Sequence, residues 1–274
     1  AFVEAMVRRK PAPVWINLEY LGAEAYVERS HGLPSPQRNG LVKWFYFPGF
    51  TARTGGLLRE PGLMDVRAAF DGPAWLTGLG IRVQPGERVA SLFCYDNPAV
   101  PALLAELARE PTLLLLTPGH AQRQVGTTPP GVRVVRLPWL TQPDYDRLLW
   151  ACDLNFVRGE DSLVRAVWAG APFVWQAYLQ HDGAHVAKVQ ALLAAMAAAP
   201  DVAALWRAWN SVVTAPLASA GAAPLPTLPA LPALAPWRNA VGAWRQSLLA
   251  QPDLGTALRA YALGKARSLG GGAC

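Results

Sequence analysis

A charged, glycine-containing segment at 157–162 could bind a phosphate group. It lies between an apolar run that predicts a buried strand and a second run that predicts a helix. Gly159 permits a sharp turn, and Asp161 or Ser162 is expected to cap the helix. Free backbone amides at the helix N-terminus would then point beyond the carboxyl end of the strand. Arg158 adds a permanent charge whose forked donors suit a diphosphate, so the segment predicts an anion site.

Two carboxylates in the same segment need another role, because they would repel phosphate oxygens. Glu160 and Asp161 could accept hydrogen bonds from ribose or sugar hydroxyls, and one of them could orient a reacting sugar. A nucleotide-sugar would use both kinds of charge. The alternative is structural: Asp161 and Ser162 only cap a helix, while Arg158 and Arg165 form surface ion pairs with the acidic residues.

The elements around this segment alternate between strand and helix. Apolar runs predict strands at 89–95, 112–116, 132–137, 154–157 and 172–175, with helices at 98–109, 145–151 and 162–169. Earlier runs at 14–18 and 42–47 predict two more strands, with a helix-compatible stretch at 22–28. Long Ala-rich helices are predicted over 182–210, and a last helical segment over about 237–268. The alternation predicts a parallel, doubly wound sheet.

Composition limits the class of protein. The chain has 274 residues, of which 52% are hydrophobic and 16% charged, enough for two domains with substantial cores. The net charge of +6 favours an acidic partner, but Lys and Arg are scattered and no nucleic-acid motif is visible, so no nucleic acid is expected. Cys94, Cys152 and Cys274 form no CxxC pair, which favours a reducing cytoplasm over a disulfide or zinc framework.

Neither a membrane span nor a signal peptide is expected. The uncharged stretch 208–237 is interrupted by prolines too often for a membrane helix, and its proline-rich part predicts a loop. No basic segment followed by an apolar run opens the chain, and its start at Ala1 suggests a chain trimmed at the front.

Several motifs resemble, in the same order, those of the EarP family of bacterial arginine rhamnosyltransferases. The most specific is Phe156-Val-Arg-Gly-Glu-Asp-Ser followed by Arg165-Ala-Val-Trp-Ala-Gly-Ala-Pro-Phe-Val-Trp. The others are Trp15-Ile-Asn-Leu-Glu-Tyr, His31-Gly-Leu-Pro-Ser-Pro-Gln, Phe47-Pro-Gly-Phe-Thr, Thr54-Gly-Gly-Leu-Leu-Arg-Glu and Ser91-Leu-Phe-Cys-Tyr. Ordered blocks of this length, which extend through Gln190, are far more specific than a lone glycine pattern.

The resemblance implies an α/β fold of the GT-B glycosyltransferase type, with two Rossmann-like domains facing across a cleft and the first domain incomplete. It implies transfer of L-rhamnose from dTDP-β-L-rhamnose to an arginine of translation elongation factor P, with inversion and without a metal or other cofactor. We expect an acceptor-side domain at 1–85 and a nucleotide-sugar domain at 86–236 with a proline-rich loop at 214–236. A C-terminal helical segment at 237–274 is expected to pack back toward the first domain.

The resemblance also implies roles for particular residues. Those matching the donor-binding residues of the family are Phe93, Tyr95, Gln142, Tyr145, Arg158, Asp161 and Ser162. Glu160 matches a residue implicated in catalysis, and Gln142 and Tyr145 match positions that approach thymine. Core packing is the alternative for Phe93. A glycine-rich loop containing Gly49, Thr51, Gly55 and Gly56 could contact sugar or acceptor, the alternative being a plain turn.

One departure from the family concerns catalysis. The early glycine loop of the family, which supplies an aspartate that would deprotonate or orient the acceptor arginine, has no match here. A protonated guanidinium is a poor nucleophile unless carboxylates localise its charge and accept a proton. The sequence therefore predicts a chain that binds donor weakly and transfers no sugar.

Other readings remain open. One is a GT-B transferase with a different nucleotide-sugar or acceptor, and another is a non-catalytic module that binds nucleotide or elongation factor P. His181 and His185 have the i,i+4 spacing of a metal pair, but no third ligand accompanies them. Asp182 is expected to cap the helix at that point instead.

Overall fold

The computed structural model describes residues 2–179, 183–211 and 227–270. The chain divides into two compact units. The smaller unit consists of Ala1–Pro61 together with Gln246–Cys274, and the larger unit is Gly62–Arg245. Each unit has its own sheet.

The smaller unit is built on a three-stranded sheet. Its first elements are helix α1 (Phe2–Arg8), strand β1 (Trp15–Leu18), helix α2 (Ala25–Ser30), and strands β2 (Pro34–Pro36) and β3 (Val42–Tyr46). The strand order is β1-β3-β2, with β1 parallel and β2 antiparallel to β3. The strands predicted at 14–18 and 42–47 are therefore confirmed. Strand β2 was not predicted, because its two prolines disfavour a strand except at the edge of a sheet, which is where it lies.

The larger unit is built on a five-stranded parallel sheet. Two helices precede it, α3 (Leu63–Ala68) and α4 (Gly72–Gly78). Strands β4 (Arg88–Leu92), β5 (Thr112–Leu116), β6 (Val132–Arg136), β7 (Leu154–Arg158) and β8 (Phe173–Gln176) follow. Helices α5 (Val100–Leu107), α6 (His120–Gln124), α7 (Gln142–Ala151) and α8 (Gly159–Ala169) connect them. The predicted parallel sheet is confirmed.

The strand order β6-β5-β4-β7-β8 places a change of direction between β4 and β7. The chain winds outward from β4 through β5 to β6, then returns to the other side of β4 for β7 and β8. The connections after β4 and β7 therefore leave the sheet in opposite directions and open a crevice at the carboxyl ends of these strands. Strand β5 is buried along its whole length, as expected for a parallel strand covered on both faces.

The boundary between the units differs from the predicted one at residue 85. Leu76 of α4 and Ile81 pack in one core with Val89 and Leu148, so the stretch from Gly62 onward belongs with the larger sheet. Arg67 of α3 also donates through Nε to the carbonyl of Ala169, at 2.7 Å.

The C-terminal segment predicted over 237–268 is two helices, α11 (Leu234–Leu249) and α12 (Leu254–Gly270), because Pro252 cannot continue the first. Most of α11 belongs to the larger unit, whereas α12 belongs to the smaller one. There the Tyr261 ring lies 5.1 Å from the Tyr46 ring. Of the predicted loop at 214–236, residues 234–236 already form the start of α11 and residues 214–226 lie outside the described chain.

The Ala-rich region forms α9 (Ala184–Ala195) and α10 (Pro200–Ser211), both in the larger unit. None of the helices in the described ranges is both long and apolar enough to cross a lipid bilayer.

Candidate functional site

A pocket of about 360 Å³ opens at the carboxyl end of the larger sheet. The connections that follow β4, β5 and β6 contribute to its lining, together with the end of β7 and the start of α8. Seven predicted site residues line it, namely Phe93, Gln142, Tyr145, Arg158, Glu160, Asp161 and Ser162. Tyr95 does not line it and contacts Arg158 instead. The pocket therefore lies at the crevice where ligands bind in doubly wound folds.

Arg158 is the cation of this pocket. Its guanidinium carbon lies 4.3 Å from the centre of the Phe93 ring and 4.4 Å from that of Tyr95. It forms no ion pair with any described residue, and its buried Nε has no hydrogen-bond partner among them. Two aromatic rings hold the guanidinium by cation–π contact, and no carboxylate in the described ranges pairs with its charge.

Arg165 behaves differently from Arg158. It is buried and forms a two-pronged ion pair with Asp146 of α7, in which its Nε lies 2.6 Å from Oδ1. The structural alternative, in which both arginines form surface ion pairs, therefore fails for Arg158 among the described residues. Arg165 does form an ion pair, but its partner is Asp146 of α7 and the pair is buried.

Strand β7 passes into helix α8 without an intervening loop. Gly159 has a φ of 75°, in the left-handed region that favours glycine, and it is the first residue of the helix. The prediction that Asp161 or Ser162 caps the helix is wrong. Both lie within its first turn, and Arg158 occupies the N-cap without a side-chain capping bond. The backbone amides of this first turn have no partner within the helix, so they are suited to an anion.

The Glu160 carboxylate borders the pocket with 34% of its side chain exposed. Its Oε1 lies 3.5 Å from Nζ of Lys188, which projects from α9. Sequence reasoning missed Lys188, because a lone lysine in an Ala-rich helix carries no local sign of its partner. Asp161 is exposed on the neighbouring position of the turn.

Aromatic side chains form the apolar part of the pocket. The rings of Phe93 and Tyr145 meet edge to face at 5.7 Å. The Tyr145 ring borders the pocket, whereas its hydroxyl is out of contact with solvent and has no hydrogen bond of standard geometry. Burial raises the pKa of Tyr145, and the neighbouring Ser162 hydroxyl opposes this rise. Trp139, which sequence reasoning missed, also lines the pocket although 83% of it is exposed.

Gln142 begins helix α7 and its side chain is exposed at the pocket. The helix is capped by Thr141, whose hydroxyl accepts a hydrogen bond from the Asp144 amide at 3.3 Å. This cap fixes the start of α7 and hence the position of Gln142.

Comparison with known proteins agrees with the motifs. Residues 1–263 match the family described as Elongation-Factor P (EF-P) rhamnosyltransferase EarP. The chain is 42% identical to a protein-arginine rhamnosyltransferase of Pseudomonas aeruginosa, over 93% of this chain and 73% of that protein. The chain belongs to the EarP family. It is also 47% identical to a protein-arginine rhamnosyltransferase of Pseudomonas putida, over 77% of this chain and 63% of that protein.

A solved structure matches as well. It concerns the structural basis for EarP-mediated arginine glycosylation of translation elongation factor EF-P, and it is 34% identical with a TM-score of 0.61. The match covers 78% of this chain and 74% of that one. The predicted family, its glycosyltransferase class and the α/β GT-B fold class are thereby confirmed.

The glycine-rich loop of this EarP chain lies in the smaller unit and does not line the pocket of the larger one. Gly56 has a φ of 72°, and a Cβ there would lie 2.5 Å from the Pro252 carbonyl oxygen. Gly49 and Gly55 are buried, and the Thr54 hydroxyl donates to the Thr51 carbonyl at 2.7 Å. Packing accounts for these glycines, and a role in contacting sugar or acceptor stays a prediction.

The histidine pair is only partly described. His185 is buried in α9, whereas His181 and Asp182 lie outside the described residues. In the described ranges, no three His, Cys, Asp or Glu side chains come together as a group that could hold a metal ion.

Proposed function

We propose that the larger unit binds dTDP-β-L-rhamnose and that the chain takes part in transferring L-rhamnose to an arginine of elongation factor P with inversion. Its relatives are named protein-arginine rhamnosyltransferases, and the solved EarP structure concerns arginine glycosylation of elongation factor EF-P. The chain spans 73% and 63% of the two Pseudomonas relatives, so the donor, the acceptor and the reaction are proposals for it.

One observation carries the proposal: beside the first turn of α8, Arg158 presents to the pocket a guanidinium that forms no ion pair within the part of the chain that the structure describes. A half-buried cation without a carboxylate partner favours an anionic ligand. The diphosphate of the donor would receive the two-pronged contact of Arg158 and the amides around Asp161 and Ser162.

The rest of the pocket suits the nucleoside and the sugar. The rings of Phe93, Tyr145 and Trp139 provide apolar surface for thymine, and the exposed amide of Gln142 can both donate to and accept from the base edge. The volume of about 360 Å³ lies within the range of small-molecule sites.

The proposed reaction requires stabilisation of the leaving group and activation of the nucleophile. The bond between the anomeric carbon and the diphosphate oxygen breaks and dTDP leaves with the bonding electrons. A guanidinium nitrogen of the acceptor bonds to that carbon, and a proton passes from the guanidinium to a carboxylate base. Arg158 and the helix amides would stabilise the charge that develops on dTDP without a metal. Glu160 would accept hydrogen bonds from the sugar or the guanidinium, with Lys188 holding its carboxylate near the pocket.

Titration with dTDP, UDP and GDP, and with their nucleotide-sugars, tests which donor the chain binds. We expect dTDP-rhamnose to bind most tightly, and a preference for UDP or GDP would favour a different GT-B transferase. Mass spectrometry of elongation factor P after incubation with the chain and dTDP-rhamnose tests the transfer. A gain of one deoxyhexose on an arginine supports the transfer and contradicts the sequence-based prediction that this chain transfers no sugar. Binding of dTDP without any such gain agrees with that prediction, and the same assay with the family's early aspartate loop restored then separates it from a non-catalytic binding module.

A further inference from the structure

We infer that Gln124 and Gln176 are positioning residues for the cation of the donor pocket. They hold the backbone of Tyr95 from two sides and so keep its ring against Arg158. Neither glutamine lines the pocket. This inference rests on the proposed donor site and adds to it the residues that fix where its guanidinium lies.

Tyr95 lies just beyond the end of β4, where the chain has left the sheet and its backbone has lost the hydrogen bonds of the strand ladder. Its N–H donates to Oε1 of Gln176 at 2.8 Å, and its carbonyl accepts from Nε2 of Gln124 at 3.1 Å. Side chains thus satisfy both polar groups of the Tyr95 backbone. A loop held in this way has far fewer conformations than a free one.

The two glutamines belong to separate elements of the larger unit. Gln176 is the last residue of β8 and is 2% exposed. Gln124 is the last residue of α6, and its Oε1 also accepts from the Asn97 amide at 2.6 Å. Its Nε2 further donates to the His120 carbonyl at 3.1 Å, which fixes the amide orientation. The loop after β4 is therefore hydrogen-bonded to α6, which follows β5 on one side of β4, and to β8 on the other side.

The position of Tyr95 matters for Arg158, because aromatic rings are the contacts that hold its guanidinium. The carbon of that group lies 4.4 Å from the Tyr95 ring and 4.3 Å from the Phe93 ring. No carboxylate of the described chain pairs with it. Displacing the Tyr95 backbone removes one of the two rings and lets the guanidinium rotate away from the helix amides. The glutamines would thus act on a ligand they do not touch.

The glutamines could instead serve only to satisfy the polar backbone groups of the loop. This purely structural role and a role through Arg158 predict different effects on anion binding. If the glutamines act through Arg158, their removal weakens anion binding only while Arg158 is present. If they only stabilise the loop, the loss is the same with and without Arg158. A double-mutant cycle separates the two cases.

The experiment measures the Kd of dTDP for the full chain by calorimetry. Gln176→Met and Gln124→Met are made alone and in an Arg158→Met background. We expect each glutamine change to weaken binding about fivefold in the presence of Arg158 and less than about twofold in its absence, as for residues in one contact network. Gln122→Met is the matched control on the same helix, because its amide donates to the Leu116 and Leu137 carbonyls rather than to Tyr95.

Equal effects of the glutamine changes in both backgrounds overturn the inference, as does a coupling of the same size for Gln122→Met. An unchanged Kd for Arg158→Met alone overturns the proposed anion site and the inference with it, which distinguishes the two failures. Urea denaturation verifies that each variant is folded. If Gln176→Met does not fold, Gln176→Asn retains a buried amide but shortens it, and the same loss dependent on Arg158 is expected.

Discussion

Replacing Arg158 with methionine removes the cation of the pocket while leaving an unbranched side chain between the two rings. Two charge-assisted hydrogen bonds to a diphosphate contribute about 1.5 to 3 kcal/mol each when they are well formed. Arg158 is only partly buried, so the lower end of that range applies and the loss is about 3 kcal/mol. At about 1.4 kcal/mol for each tenfold change, the Kd of dTDP should rise on the order of 100-fold.

Stability should change little in the same variant. The cation–π contacts with Phe93 and Tyr95 are lost, at a cost of about 1 kcal/mol. Two effects offset this cost: the buried Nε, which has no partner in the described chain, is removed, and the methionine sulfur makes favourable contacts with aromatic rings. The free energy of unfolding is expected to change by less than about 1 kcal/mol.

Calorimetric titration with dTDP at two salt concentrations provides the assay. Arg158→Lys keeps the charge but loses the planar fork, so we expect an intermediate loss of about tenfold. Arg207→Met is the matched control, because Arg207 is an exposed arginine whose guanidinium bonds to the Gln190 side chain. A loss below about threefold for Arg158→Met, with the unfolding transition intact, would refute the assignment of Arg158 as the diphosphate ligand.

Three further predictions concern other parts of the larger unit. Trp139→Ala should weaken dTDP binding about tenfold but leave inorganic pyrophosphate binding unchanged, because the exposed ring can stack only on the base; equal losses would contradict this. Asp146→Ala should lower the free energy of unfolding in urea by about 3 to 5 kcal/mol, because it removes one partner of the buried ion pair with Arg165. Asp146→Leu combined with Arg165→Met replaces the whole pair by apolar side chains and should restore much of that free energy. Burial raises the pKa of Cys94 to about 12 and raises the pKa of Cys152 as well, so both thiols stay neutral at pH 9. In a Cys274→Ser variant at that pH, the rate of alkylation should therefore be set by the rate of unfolding. The contribution of the neutral thiols to the free energy of unfolding should be complete below pH 9 and decline toward pH 12.

The parallel sheet was predictable because each of its strands is marked by a short apolar run in the sequence. Apolar runs such as 112–116 are buried on both faces, and short connections leave few alternative arrangements. The run predicted as a strand at 89–95 ends as strand at Leu92. The rings of its remaining aromatic residues, Phe93 and Tyr95, contact the Arg158 guanidinium. Periodicity alone cannot distinguish an aromatic ring that packs on a cation from one in a core.

The parts of the site that were missed depend on contacts between distant residues. Gln176 meets Tyr95 across 81 positions of sequence, and Gln124 meets it across 29. Lys188 approaches Glu160 from a helix whose sequence is mostly alanine and valine. The unit boundary at Pro61 was missed for the same reason, because α3 and α4 show only by their packing that they belong to the larger sheet.

The direct passage from β7 into α8 at Gly159 limits how the pocket of the larger unit can change during evolution. With no connecting residues between strand and helix, this wall cannot accept an insertion without detaching the helix from the sheet. The connection between β6 and α7, which carries Trp139 and leads to Gln142 at the start of α7, has room to vary in length and composition. If the pocket binds a nucleotide-sugar as proposed, a change of preferred nucleotide or sugar should therefore arise by replacing residues in that connection, while the proposed diphosphate contacts stay the same.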